Sequence, residues 1–554
     1  MMSLQKTFIF WAFYPELAII LTLIIVPVAT YYGSRSSFQR RTRGKRVGKV
    51  PPTIPYYVPG IFHAFSLASI GPQKYFAQLL KKYDSRDPFC VRAGPQPLVV
   101  VRDLKHVKTV LSALQAVTPA ASRLEHFDKI YGSPRAALDL YANEGINMAE
   151  GSTLQHAHVT VTQKHLTGMS LSANIETYMT ILSCSLNDKM FQVGSWTQIE
   201  DSWSFLRQVI TRCHLTWLFG KDIFKQYPNI FKDYWEFVDA FEGFFPGLPR
   251  YWVPGAASQV RERLLQGIGR WLKVNHSGSD FARIIESDPV WDELKGLKFL
   301  QERDEALAQI KCMDVRARAA EMLSIIHETT SALVPCVTWS LLELARRPEF
   351  AKRLTISVSR YSPSSGATYN INDITNMPFM ESLLAETVRL RTAPIEVYIT
   401  HKGLVLDDNW RVLKEVPIVT LLHDLALHSQ ESTNLQSKTV GKPLEEFWPE
   451  RFSQKSKSNK LESNSEGGLR DVAGLDRQDS NFDRGQPPLL GREYLPAAHA
   501  ATMAIFLNEF ELQLCDPELF DAALPPPREL AFGILKPVDK VEVRIRKRNT
   551  SSTK

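Results

Sequence analysis

The chain has 554 residues, 44% of them hydrophobic and 23% charged, with a formal net charge of +7. That is the composition of a globular protein with a substantial core, and it excludes a disordered or collagen-like chain. The positive charge is local: Arg35, Arg40, Arg41, Arg43, Lys45, Arg46 and Lys49 form one strip and Arg546, Lys547 and Arg548 another, a pattern that suits lipid head groups and gives no ground for nucleic-acid binding.

In chain order, Phe8 to Tyr32 is apolar apart from Glu16, Thr22 and Thr30. At about 25 residues it is long enough to cross a bilayer with some tilt. The arginines after it place the body of the protein in the cytosol by the positive-inside rule. A cleaved signal peptide is the rival reading, but the stretch is long for one and no A-x-A site precedes the arginines. Residues 1–34 are therefore read as a membrane anchor. Residues 35–60 are a basic strip and a linker stiffened by Pro51, Pro52, Pro55 and Pro59. The remainder, 61–554, reads as one domain.

Pro72 to Tyr83 carries apolar residues at helical spacing, with its proline in the first turn. Pro88 to Arg92 and Leu98 to Arg102 predict a hairpin whose loop holds Gly94, Pro95 and Pro97, and Leu104 to Leu114 predicts a helix. Residues 115–165 are irregular. Ile175 to Leu272 is helical in pattern, interrupted by the aromatic loop Phe244 to Pro254, which fits core packing or the mouth of a channel. Six cysteines occur without C-x-x-C spacing, which argues against a disulfide framework or a zinc site.

Three motifs follow. Met322-Leu-Ser-Ile-Ile-His-Glu-Thr-Thr-Ser331 leads into a long helical run and places Glu328 beside Thr329 and Thr330. Such an acid–alcohol pair either relays protons or consists of hydroxyls bonded back to the i−4 carbonyl. Glu386 and Arg389 are spaced i, i+3 on one helix face, preceded by Met377-Pro-Phe-Met380 and followed later by Trp448-Pro-Glu-Arg-Phe452. Residues 453–486 are polar, rich in Ser, Asn, Asp and Gly, and read as a disordered insertion. The last motif is Gly491-Arg-Glu-Tyr-Leu-Pro-Ala-Ala-His-Ala-Ala501, opening a run of helix formers.

In this order, these motifs resemble the haem-thiolate monooxygenases, the cytochrome P450 family. The anchor, basic strip and proline hinge resemble its microsomal members. The aromatic loop and Leu344-Ala-Arg-Arg-Pro-Glu-Phe350 resemble its fungal, secondary-metabolism members. The resemblance implies a mainly α fold with a small β subdomain, preceded by one transmembrane helix. It implies a single-pass protein of the endoplasmic reticulum with its catalytic domain in the cytosol. It also implies a haem, a hydrophobic small-molecule substrate, and an NADPH-fed cytochrome P450 reductase as partner. Glu386, Arg389 and Arg451 correspond to the buried network beneath the haem, and Glu328 and Thr329 to the oxygen-side proton relay. His401 or Lys402 would grip a propionate on the strand after the E-x-x-R helix. No W-x-x-x-R is present; Leu154 and His158 are the nearest pair at that spacing.

The last motif departs from the family at its centre. There the pattern is G-x-x-x-C-P-G-R-x-x-A, with the cysteine thiolate on the iron. Gly491, Pro496 and Ala501 match, but Leu495 holds the cysteine position, and Ala497 and Ala498 replace the Gly-Arg pair. Leucine has no lone pair, and the thiolate's electron donation is what cleaves the O–O bond. No metal ligand is therefore assigned; the substitute candidates are Tyr494, adjacent to Leu495, and His499, one helical turn beyond it. Two functions stay open: a P450-like monooxygenase tailoring a hydrophobic molecule, and a P450-fold protein without functional haem. The second would act as a non-redox enzyme or as a binding or scaffold partner in the same pathway.

Overall fold

The computed structural model describes residues 15–43, 48–114, 120–142, 153–187, 191–244, 255–276, 288–361, 369–399, 402–428, 442–452, 493–527 and 529–549. The polar segment 453–486, the center of the aromatic loop and His401 lie outside them. The chain divides into two compact units: Met1–Val117 with Gly247–Trp252 and Glu396–Thr420, and the remainder. It is mainly helical with small sheets, as the family resemblance implies.

In the first unit, a helix runs from Pro15 to Arg43. From Ile19 the helix is long and apolar enough to cross a membrane, and its most apolar window is unburied. It continues past the expected anchor end at 34, because nothing between Arg35 and Arg43 stops a helix. The first half of the basic strip is therefore helical, with Arg40, Arg41 and Arg43 in the last turn, where cations suit the dipole.

The proline segment is not a free spacer. Cys90 N–H donates to the Pro52 carbonyl at 2.9 Å, Ile54 N–H donates to Cys90 O at 3.0 Å, and Ile54 is buried. It lines the edge of the strand Phe89–Ala93, where prolines are tolerated. That strand pairs antiparallel with Gln96–Val101, Ala93 opposite Gln96, across a two-residue Gly94-Pro95 turn. Gly94 has φ +62°, which the first central position of a primed hairpin turn requires. Val99–Val101 then pairs in parallel with Ile418–Thr420.

The second unit is built around the helix Val315–Ala345, whose N-terminus is capped by Asp314 accepting from Ala317 N–H at 2.8 Å. Apolar residues face all round it, Leu323, Ile325, Ile326, Leu333 and Val337 being wholly buried, which marks a helix interior to its unit. The helices Ser202–Phe219, Gly255–Asn275, Pro378–Arg391 and Tyr494–Glu509 pack on it. Sequence periodicity misses the short strand Thr197–Ile199, which joins Val543–Lys547 and Phe510–Leu514 in a three-stranded sheet. Three residues are too few to break a helical pattern over a long window.

Candidate functional site

Glu386 and Arg389 lie on one face of the Pro378–Arg391 helix, both buried. Arg389 donates from Nε to Glu386 Oε2 at 2.7 Å and from Nη2 to Oε1 at 2.9 Å. Arg451 Nε and the backbone N–H of Trp448 also donate to Oε1, at 3.1 and 2.9 Å. Arg451 Nη2 spends its donors on the carbonyls of Pro443 and Glu446, each at 2.9 Å. One carboxylate thus ties the helix to the turn that contains the Pro449-Glu-Arg-Phe452 motif. Burial alone would raise the Glu386 pKa; Arg389 and Arg451 more than offset it and hold the group below the usual glutamate range. The predicted three-residue network is therefore present, with bidentate geometry.

The Tyr494–Glu509 helix begins one residue before Leu495, so Leu495 occupies the first helical turn. Pro496 follows it there, where its missing N–H is harmless. The Leu495 side chain is half-buried and packs on the hydrophobic core. Ala497 and Ala498 are buried. Tyr494 stacks on Trp217 with centroids 5.9 Å apart and its hydroxyl meets His214 Nε2. His499 lies one turn past Leu495, wholly buried, with Nε2 at 2.9 Å from Ser340 Oγ. Ser340 in turn meets Thr387 Oγ1 at 3.0 Å. Burial pushes the His499 and His214 imidazoles down to about 3, so both are neutral. Both substitute ligands are thus held by side chains of neighbouring helices.

On the long helix, Thr329 is wholly buried and donates to the carbonyls of Ile325, at 2.9 Å, and Ile326, at 3.0 Å. Of the two roles open to this alcohol, the geometry is that of i−4 back-bonding. Thr330 Oγ1 lies 3.4 Å away, and Glu328 is half-buried beside them. Burial and the Glu328 carboxylate together drive the Tyr131 phenol far up, which places that ring beside the acid.

His158, at the position that W-x-x-x-R would give to arginine, sits in a one-turn π-helix, His156–Thr160, and its Nε2 reaches Glu321 Oε1 at 3.1 Å. Glu321 is wholly buried and also receives Arg303 Nη2 at 3.0 Å and the Tyr141 hydroxyl. Burial raises its pKa, yet His158, Arg303 and Tyr141 reverse the sign and leave it strongly depressed. A further buried pair joins Arg391 Nε to Glu343 Oε1 at 2.8 Å, with Arg347 on the other oxygen. Neither network is legible beforehand except for the i, i+4 spacing of Glu343 and Arg347. Tyr398, where the family carries a propionate-binding arginine, donates instead to Glu396. Lys402 is exposed.

Of the described residues here, Leu495 offers no donor to a metal, the Tyr494 hydroxyl meets His214, His499 meets Ser340 through Nε2 while its Nδ1 has no hydrogen-bond partner, and His158 is committed to Glu321. Among the described residues, no group of three or more His, Cys, Asp or Glu side chains is arranged to hold a metal ion.

Comparison with known proteins gives a consistent lineage. The family model described as Cytochrome P450 matches residues 51–465, a span that covers Glu386 and Arg451 and ends before Gly491. The cytochrome P450 monooxygenase fsoE of Humicola fuscoatra is 26% identical over 97% of this chain and 95% of its own length. The cytochrome P450 monooxygenase efuG of Hormonema carpetanum is 24% identical over 96% of each. Cholesterol 7-alpha-monooxygenase of Cricetulus griseus is 21% identical over 73% of this chain and 77% of its own.

Proposed function

The chain belongs to the cytochrome P450 family, and from that premise we propose that it holds a hydrophobic small molecule of a fungal-type secondary pathway without performing thiolate-driven monooxygenation. The observation that carries this reading is Leu495 in the first turn of its helix, packed on the core, within a motif that resembles the family's ligand loop. The protein then acts as a non-redox enzyme or as a binding partner beside a true oxygenase. Its apolar N-terminal helix supports a single-pass anchor, and the arginines at the helix end favour a cytosolic domain at the endoplasmic reticulum.

The second reading is an oxygenase that takes haem and electrons from an NADPH-dependent reductase. It is favoured by the complete Glu386–Arg389–Arg451 network and by similarity to monooxygenases over nearly the whole chain. In that reading Glu328 would supply protons, and Thr329 would have to leave its carbonyl partners to pass them on. His401 or Lys402 would meet a propionate.

The reduced, carbon-monoxide-treated spectrum of the full-length protein separates the two, together with its haem content. The first reading expects no thiolate-type Soret band in the natural chain. It also expects that band to emerge when Leu495→Cys, Ala497→Gly and Ala498→Arg are combined, since the supporting network is already in place. A thiolate-type band in the natural chain sinks the first reading.

A further inference from the structure

Two of the buried polar atoms that lack a hydrogen-bond partner lie on neighbouring rings of the second unit: Tyr234 Oη and His327 Nδ1. Tyr234 belongs to the helix Ile230–Asp239 and is wholly buried; its ring centroid is 6.5 Å from that of His327 on the long helix. The Tyr234 hydroxyl lies near Thr330, but the contact lacks hydrogen-bonding geometry. Tyr234, Phe237 and Phe241 are spaced i, i+3, i+7. Phe241 stacks flat on the imidazole at 4.8 Å and Phe237 meets it edge-on at 5.8 Å. Tyr131 closes another side at 6.4 Å. The environment is thus mainly aromatic, with the Thr330 hydroxyl near Tyr234 and His126 near the imidazole.

Leaving a buried donor or acceptor unmet forfeits its hydration without replacement, so such a pair is held ready for a partner or is a standing penalty. Burial, with His126 nearby, brings the His327 imidazole down to about 4, so it is neutral at cytosolic pH. A carboxylate would enter here without a counter-charge, near the Glu328 carboxylate beside Tyr131, and lose its hydration. A hydroxyl both donates and accepts, so one such group can serve the tyrosine and either tautomer of the histidine.

We propose that Tyr234 and His327 form a recognition pair for the hydroxyl of an otherwise apolar ligand, whose hydrocarbon lies against Phe237 and Phe241. The inference rests on the reading of this protein as a holder of hydrophobic small molecules and adds the polar group that such a ligand carries.

The test uses the full-length protein in lipid nanodiscs and measures binding of linear, monocyclic and fused-ring terpenoid alcohols, each paired with its parent hydrocarbon. At least one alcohol is expected to bind about tenfold more tightly than its hydrocarbon, the worth of one to two net hydrogen bonds. Tyr234→Phe and His327→Phe, which keep the rings, should each remove most of that preference and leave hydrocarbon binding unchanged. Binding of both members of each pair without discrimination overturns the recognition pair while leaving the small-molecule reading intact. An alcohol preference that survives both substitutions also overturns it. Failure of every probe to bind overturns the small-molecule reading and the pair with it.

Discussion

Glu386 concentrates two guanidinium ions and a backbone amide on one carboxylate with no access to water. Neutralising it strands both cations in a low-dielectric interior, the situation in which breaking a buried ion pair costs about 3–5 kcal/mol. Glu386→Gln should therefore lower the unfolding free energy by about that much, read from urea unfolding of the purified protein. A loss below about 1 kcal/mol, the range of exposed ion pairs, would show that the network is not the lock described here. The pair Glu386–Arg389 is legible in sequence because i, i+3 spacing on a helix is local geometry. Arg451 is legible only through its motif. Glu321 is not legible at all, since Tyr141, His158 and Arg303 come from separate segments and no spacing rule joins them. The same limit hides Tyr494 and His499: both read as candidate ligands, and only tertiary packing reveals His214 and Ser340 as their partners.

At the scale of elements, the junction after the helix Ser202–Phe219 turns on two glycines. Gly220, at the helix end, has φ +71°, and Gly296, in the facing two-stranded turn, has φ +80°. A Cβ on Gly296 would stand 2.1 Å from the carbonyl oxygen of Leu218, and one on Gly220 would stand 2.2 Å from that of Leu294. Each therefore combines a left-handed backbone with an approach that only hydrogen permits. Lys221 N–H to Glu293 O at 2.8 Å and Trp291 Nε1 to Trp217 O at 3.1 Å hold the junction shut. Gly296→Ala should cost about 3 kcal/mol in unfolding free energy and speed proteolysis near residues 288–297. Unchanged unfolding with unchanged proteolysis would show that the junction yields easily. Elements with strong local signals, such as the Leu104–Leu114 helix and the hairpin at Gly94, match the sequence reading closely. The basic strip does not, because the side chains that suggest a lipid-facing linker are also good helix formers.

For the whole molecule, the proposed function separates scaffold from chemistry: the Glu386–Arg389–Arg451 network is built, while Leu495 is proposed to stand in place of the family's ligand. A scaffold so dependent on buried titratable groups has a pH signature. His214 and His499 are wholly buried, and burial brings both to about 3, against about 6.5 in an unfolded chain. Between those values the unfolded state binds protons that the folded state refuses, so stability rises with pH there and falls on acidification. Each histidine should remove about 1.4 kcal/mol for every pH unit well below 6.5. Glu321 and Glu386, both depressed in the fold, add to the loss only below about 4.3, where the unfolded carboxylates begin to protonate. Unfolding free energy measured from pH 7.5 to 4.5 should thus be level above about 7 and fall steeply below about 6. His499→Gln keeps a polar group near Ser340 and removes one titrating site, so its profile should be shallower by about 1.4 kcal/mol per unit well below pH 6.5, whatever its stability at neutral pH. A variant that runs parallel to the natural protein across that window would mean that His499 titrates freely in the folded state, and the packing around the Leu495 helix would need to be redrawn.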